Sequence, residues 1–188
     1  MSCQLIVNAG AVALQRIKTK NITSRHLGLS SLCLSFIVYL MGCIEKRSPI
    51  YDSEKLKGAL EDHIDIIVKK LNQIILFKSN SAQKQINLED TPSKGTATIV
   101  NNTKILLEIM LDYFDKNTLS KIFTGDLLKI YVDGISGLKI SSRIEAESLK
   151  DDVAFFFGEL KGLESIMDEF GSYRIRAEDI VRVGFEEL

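Results

Sequence analysis

Few residues in this 188-residue chain are of a type and spacing that could do chemistry. The three cysteines, Cys3, Cys33 and Cys43, all fall at or before position 43, and His63 is the sole histidine after it. Residues 44–188 therefore hold no thiolate nucleophile and no cysteine-based zinc site. A lone histidine three residues past Leu60, on an apolar stripe, reads as a flank or core side chain rather than a metal ligand or general base. Asp151-Asp152 reads as a pair of first-turn acids that complement a helix dipole, and Glu186-Glu187 as a solvated end. Gly134-Ile135-Ser136-Gly137 lacks the residue that a nucleophile elbow places between Ser and the last Gly, so it reads as a turn. Phosphate-binding glycine loops, H-E-x-x-H and EF-hand signatures are all missing. These residues predict no catalytic site, no cofactor and no metal; the chain is not expected to be an enzyme.

Charge narrows the partners. The chain carries a net charge of −1, but residues 1–43 contain Arg16, Lys18, Lys20 and Arg25 and no acid, which leaves the remainder at −5. A net-negative body with no basic stripe excludes nucleic acid as the expected partner. With 45 % hydrophobic residues, 26 % charged residues and only 2 prolines, that body has the composition of a folded domain rather than a disordered one.

Residues 1–26 are basic and acid-free, and Leu27 to Met41 is an uncharged apolar run that ends at Gly42-Cys43. These are the parts of a secretory signal peptide. Leu40-Met41-Gly42-Cys43 resembles the lipobox of bacterial lipoproteins. That resemblance implies cleavage after Gly42 and an acyl (palmitate-type) chain on Cys43; Ile44 is not the Asp that retains such proteins in the inner membrane of enteric bacteria. Two alternatives stay open: an uncleaved anchor, because Leu27–Ile44 reaches the lower length limit for a bilayer span, and an organelle transit peptide. The expected organisation is a targeting segment over 1–43, a tether over 44–52 containing Pro49, and a helical domain over 53–188.

The elements that must position any site read as helices. Leu56, Leu60, Ile64, Ile67, Leu71 and Ile74 predict a first helix over 53–78, capped by Ser53 and widened by Ile66, Ile75 and Phe77, with Ser79-Asn80 ending it. A polar connection over 80–95 follows. Thr96–Val100 has strand-like composition and leads to a helix capped at Asn101 or Asn102 that carries Ile105, Leu106, Ile109, Met110, Tyr113 and Phe114. Residues 118–142 are ambiguous: helical spacing favours helix to Asp133, and 129–140 could form a short β-hairpin. Leu149, Val153, Phe156, Leu160, Leu163, Met167 and Phe170 predict one long helix, with Gly171 as its C-terminal cap. A short helix over 177–181 closes the chain. The fold class is therefore all-α, a bundle of about four helices.

Three consecutive phenylalanines, Phe155 to Phe157, cannot share one narrow seam. Phe155, with Ile166 eleven residues on, is either buried by an all-round core or forms a patch for a protein partner, burial being preferred. Gly158 and Gly162 predict close packing within the fold. In layout the chain resembles the helical surface lipoproteins of bacteria, spirochaete adhesins among them. The expectation is a non-enzymatic lipoprotein bound through Cys43 to the outer membrane or cell surface, with a protein partner; a periplasmic assembly lipoprotein and a small organelle subunit are the alternatives.

Overall fold

The computed structural model describes residues 24–47, 54–186 and 188, and these form an all-α bundle without strands among the described residues. In chain order the helices are α1 (Ser24–Arg47), α2 (Glu54–Gln83), α3 (Lys94–Leu111), α4 (Lys116–Ile122), α5 (Gly125–Ser136), α6 (Arg143–Glu159), a 3-10 turn (Lys161–Leu163) and α7 (Phe170–Glu186). The expected cap at Ser53 and the proline of the expected tether lie outside the described residues.

The apolar run that reads as a leader is α1, and it belongs to the bundle. Leu27, Gly28, Ser31, Leu34 and Met41 recur on one face and are buried, which places them against α2 and the end of α3. Ser24 lies beside Ile74 and Lys78 of α2, whereas Glu45 pairs with Lys57, so α1 and α2 are antiparallel. Gly28 packs tightly on the turn that follows α3, which ends at Leu111, short of the expected Tyr113 and Phe114: a Cβ there would lie 2.5 Å from the Tyr113 ring. Lys46 and Arg47 complement the dipole at the α1 C-terminus. The helix continues through residue 43, so a cut behind Gly42 would sever it and remove Leu27, Leu34 and Met41 from the core.

Helix α2 runs past its expected end at Lys78 to Gln83. The reason is local. Ser79 faces the core, Asn80 donates back to the Leu76 carbonyl at 3.0 Å, and Ser81 to that of Phe77 at 3.0 Å. Such one-turn bonds let polar residues sit inside a helix. Ile75 is buried as expected, but Ile66 and Phe77 face outward, Phe77 at 74 % exposure.

The connection to α3 is a tight turn. Asn87 accepts from the amides of Glu89 and Asp90, the Thr91–Pro92 bond is cis, and Gly95 N–H donates to the Gln85 carbonyl. A Cβ at Gly95 would lie 2.5 Å from Ile86 N and 2.6 Å from Ala82 O, so only glycine fits. Ser93, not Asn101 or Asn102, caps α3, and Thr96–Val100 is its first turns rather than a strand. Thr96, Ile99, Val100 and Thr103 all point into the core, and this packing overrides the β-propensity of their branched side chains.

No hairpin forms at 129–140. Leu127, Leu128, Tyr131, Val132 and Ile135 make the buried face of α5, which Gly125 begins after a break at Phe123-Thr124. Asn72 of α2 holds that break, donating to the Ile122 carbonyl at 2.8 Å and to Thr124 Oγ1 at 3.2 Å.

The expected helix through 149–170 is two helices. All seven members of its apolar seam are buried as predicted, yet α6 stops at Glu159 and Gly171 lies in the first turn of α7 instead of capping α6. Gly158 and Gly162 flank the break, where their low helix propensity weakens the backbone. The 3-10 turn keeps Leu163 facing inward. α7 then packs on α5 and α6 and is much longer than the expected 177–181 segment.

Candidate partner-docking face

Among the described residues one carboxylate is fully buried. Asp152 lies in the middle of α6, not in its first turn, and is 2 % exposed. Its Oδ1 accepts from Ser93 N–H at 2.7 Å, and its Oδ2 accepts from Thr96 Oγ1 at 2.6 Å and Tyr131 Oη at 3.1 Å. Ser93 Oγ also donates to Thr96 Oγ1 at 2.8 Å and accepts from Thr96 N–H. Asp152 thus caps α3 from another helix and faces its positive end. Burial raises the Asp152 carboxyl above the ordinary carboxylate value, against the opposing pull of the bonds from Thr96, Ser93 and Tyr131. Burial, then the neighbouring Asp152 charge, raises Tyr131 as well. Both Asp152 oxygens are engaged and sealed from solvent, so the arrangement is a structural clamp. From it an aromatic column spreads: Tyr131 stacks on Phe156 at 3.7 Å, and Phe157 meets Phe156 and Phe170 edge-on.

The other singled-out residues do not converge on a reaction. His63 is half-buried, its Nδ1 against the Ala59 carbonyl one turn back. Gly134–Gly137 spans the end of α5. No group of three or more His, Cys, Asp or Glu is placed to hold a metal among the described residues. Ile166 is buried and Phe155 packs half-buried on the core, so they do not offer an exposed patch. Phe156 and Phe157 both point inward. Gly158 makes no close contact; a Cβ there would meet nothing within 4 Å, and Gly162 sees only Leu107 at 3.8 Å. Cys43 sits half-buried in the last turns of α1, one turn from Tyr39.

What stands out is the outer face of α1. Opposite its packed face, Leu29, Leu32, Phe36, Tyr39 and Leu40 are exposed, Phe36 at 59 % and Tyr39 at 66 %. Leu29, Leu32, Phe36 and Tyr39 follow one another at spacings of 3, 4 and 3, the seam of a two-helix contact. No charge interrupts it between Leu27 and Ile44. Both faces of α1 are therefore apolar and one of them is open. Sequence reading missed this face because it took the whole run as a leader; the 3-4 spacing within the run was the available signal.

Comparison with known proteins gives the context. Residues 1–78 match the model of a family described as Vps54-like protein, a stretch that takes in the expected leader, α1 and most of α2. The chain is 28 % identical to vacuolar protein sorting-associated protein 54 of Rattus norvegicus, and 27 % identical to the proteins of that name from Mus musculus and Homo sapiens. Each comparison runs over 184 positions and covers 89 % of this chain, but 19 % of the rat protein and 18 % of the other two. The chain thus spans about a fifth of the length of these relatives. No solved structure matches it. These likenesses overturn the expected surface adhesin or envelope lipoprotein, its outer-membrane location and its palmitate-type anchor, because the relatives are mammalian proteins named for vacuolar sorting. The chain is similar to Vps54-like proteins, and the open stripe of α1 lies inside the stretch that matches them.

Proposed function

We propose that this chain is a non-catalytic helical module that serves vacuolar protein sorting by holding a partner protein's helix against the outer face of α1. The single observation that carries this is the uncharged 3-4 stripe of Leu29, Leu32, Phe36 and Tyr39, exposed on a helix whose other face is locked into the bundle. Exposed apolar patches of this kind mark interaction surfaces, and a two-helix seam is the contact its spacing fits. The sorting role rests on the likeness to the named relatives. Residues 24–47 and 54–186 act as one helical unit in this reading, in place of a cleaved segment and a separate domain.

A second reading has its own support: Ser24–Arg47 is long and apolar enough to cross a bilayer by length and composition. That would pull Leu27, Leu34 and Met41 away from α2, so bundle and membrane compete for the same helix.

The test is made in the cells that express the protein. Intact-mass measurement should find residues 24–42 retained in the mature chain. Deletion of the gene should divert a vacuolar hydrolase to the medium, and Phe36→Glu, folded by circular dichroism, should do the same. Normal hydrolase sorting in the gene deletion would refute the sorting role. Normal sorting in Phe36→Glu would refute the docking face, and alkaline-resistant membrane retention of the chain would favour the spanning helix.

A further inference from the structure

We propose that a second surface, the groove between α6 and α7, binds an acidic amphipathic helix of a partner protein. The groove encloses about 600 Å³. Its floor is apolar, made by Val153 and Phe157 of α6 and by Phe170, Val181 and Phe185 of α7. Ala154 and Gly158, one helical turn apart and both exposed, keep the α6 wall low, so a backbone can approach closely.

The rim is charged, with basic residues in excess. Lys150 of α6, Lys161 of the 3-10 turn and Arg174 and Arg182 of α7 line it, against Glu164 and Glu178. Lys150 and Lys161 make no ion pair among the described residues. Arg174 pairs with Glu178, and Arg182 with Asp179 and Glu186, all within α7 and all more than half exposed. Exposed pairs of this kind are weak, so an incoming carboxylate can compete for either arginine.

Spacing decides what kind of anion fits. Lys150 lies on α6 and Lys161 opens the 3-10 turn beyond its end, and Arg174 to Arg182 spans about two turns of α7. Positive charge therefore recurs along both walls of an elongated apolar floor. A helix of about three to four turns, with an apolar stripe between acidic flanks, meets both features along its length. A lipid would place its charge at one end only. The groove lies away from the α1 stripe, and the proposal does not depend on the function assigned to that stripe.

The test uses the full-length chain and fluorescein-labelled 15-residue helical peptides that share one leucine stripe and differ only in flanks of Glu, Gln or Lys. Fluorescence polarisation should rank the Glu peptide above Gln and Gln above Lys, with affinity that falls as salt rises. Gly158→Trp, which fills the groove without meeting any protein atom within 4 Å of its Cβ, should abolish binding while the circular dichroism spectrum is kept. Lys150→Glu with Lys161→Glu should weaken the Glu peptide at least about tenfold and improve the Lys peptide, since rim charges set partner choice. Equal binding of the three peptides, or binding untouched by Gly158→Trp, overturns the proposal. So does binding of anionic phospholipid vesicles but not peptide, or a self-association that Gly158→Trp removes.

Discussion

Removing the Asp152 carboxylate tests whether this bundle is organised around its polar clamp. Asp152→Ala strands three buried donors: the Ser93 amide, the Thr96 hydroxyl and the Tyr131 hydroxyl. Each unmet donor costs about 1–3 kcal/mol, while relief of the buried carboxylate, itself a burden of several kcal/mol, offsets part of the loss. The net is a destabilisation of about 3 kcal/mol, a large fraction of the roughly 5–15 kcal/mol that holds a domain folded. In a chain of this size it lowers Tm by about 6–12 °C. Tyr131→Phe removes only the longest of the three bonds and keeps the stack on Phe156, so it costs about 1 kcal/mol. In the double variant the two losses do not add, because Tyr131 has no carboxylate left to bond. Urea unfolding of the full chain, followed at 222 nm, measures all three. The reasoning fails if Asp152→Ala stays within about 1 kcal/mol of the parent, or if Tyr131→Phe costs as much as Asp152→Ala.

The same clamp predicts a pH dependence. Burial raises the folded-state pKa of Asp152 above its unfolded value, so the folded chain keeps this proton to higher pH than the unfolded chain does. Its contribution is therefore most favourable below the ordinary carboxylate value and declines as pH rises through the folded pKa. Asp152→Asn, which offers one acceptor and lets the two hydroxyls reorient, should flatten that part of the stability profile; an unchanged slope would refute the assignment. Gly95→Ala drives a Cβ into the Ala82 and Ile86 backbone and should destabilise by more than about 2 kcal/mol, whereas Gly158→Ala meets open space and should stabilise by about 0.5–1 kcal/mol; thermal melts compare the two. Asn72→Ala loses the bonds that hold the α4–α5 break and should cost about 1–2 kcal/mol, with faster amide exchange around Ile122 to Leu127.

Much of the fold was legible because burial follows periodicity. Leu149 through Phe170 reads as one seam and is one seam, even though the chain breaks at Glu159, since a 3-10 turn preserves the direction in which Leu163 points. What periodicity does not carry is continuity. The break depends on two glycines, and the extension of α2 depends on side-chain bonds from Asn80 and Ser81 that no pattern displays. Asp152 was hidden for a related reason: its partners Ser93, Thr96 and Tyr131 lie 21 to 59 residues away. The α6–α7 groove was equally unreadable, because it exists only once α7 folds back after a turn that the sequence hides inside an apparent long helix.

The two readings of α1, as a leader and as a bundle helix, part at a definable point, and it sets a decisive experiment. Hydropathy along a line cannot distinguish a signal peptide, a membrane span and a bundle helix with two apolar faces, since all three are uncharged runs. They differ in whether neighbouring residues are equivalent. In this bundle Leu34 is buried and Phe36, two residues on, is 59 % exposed. Leu34→Ala should then open a cavity and cost about 2–5 kcal/mol, whereas Phe36→Ala should cost within about 0.5 kcal/mol in the isolated chain, as surface changes do. A cleaved leader makes both substitutions silent, because neither residue is present in the folded domain. A spanning helix makes both act on membrane partition and neither on the unfolding of the soluble part. Only a helix packed on one side and open on the other separates them in urea unfolding, and equal effects at the two positions would remove the basis for a docking face on α1.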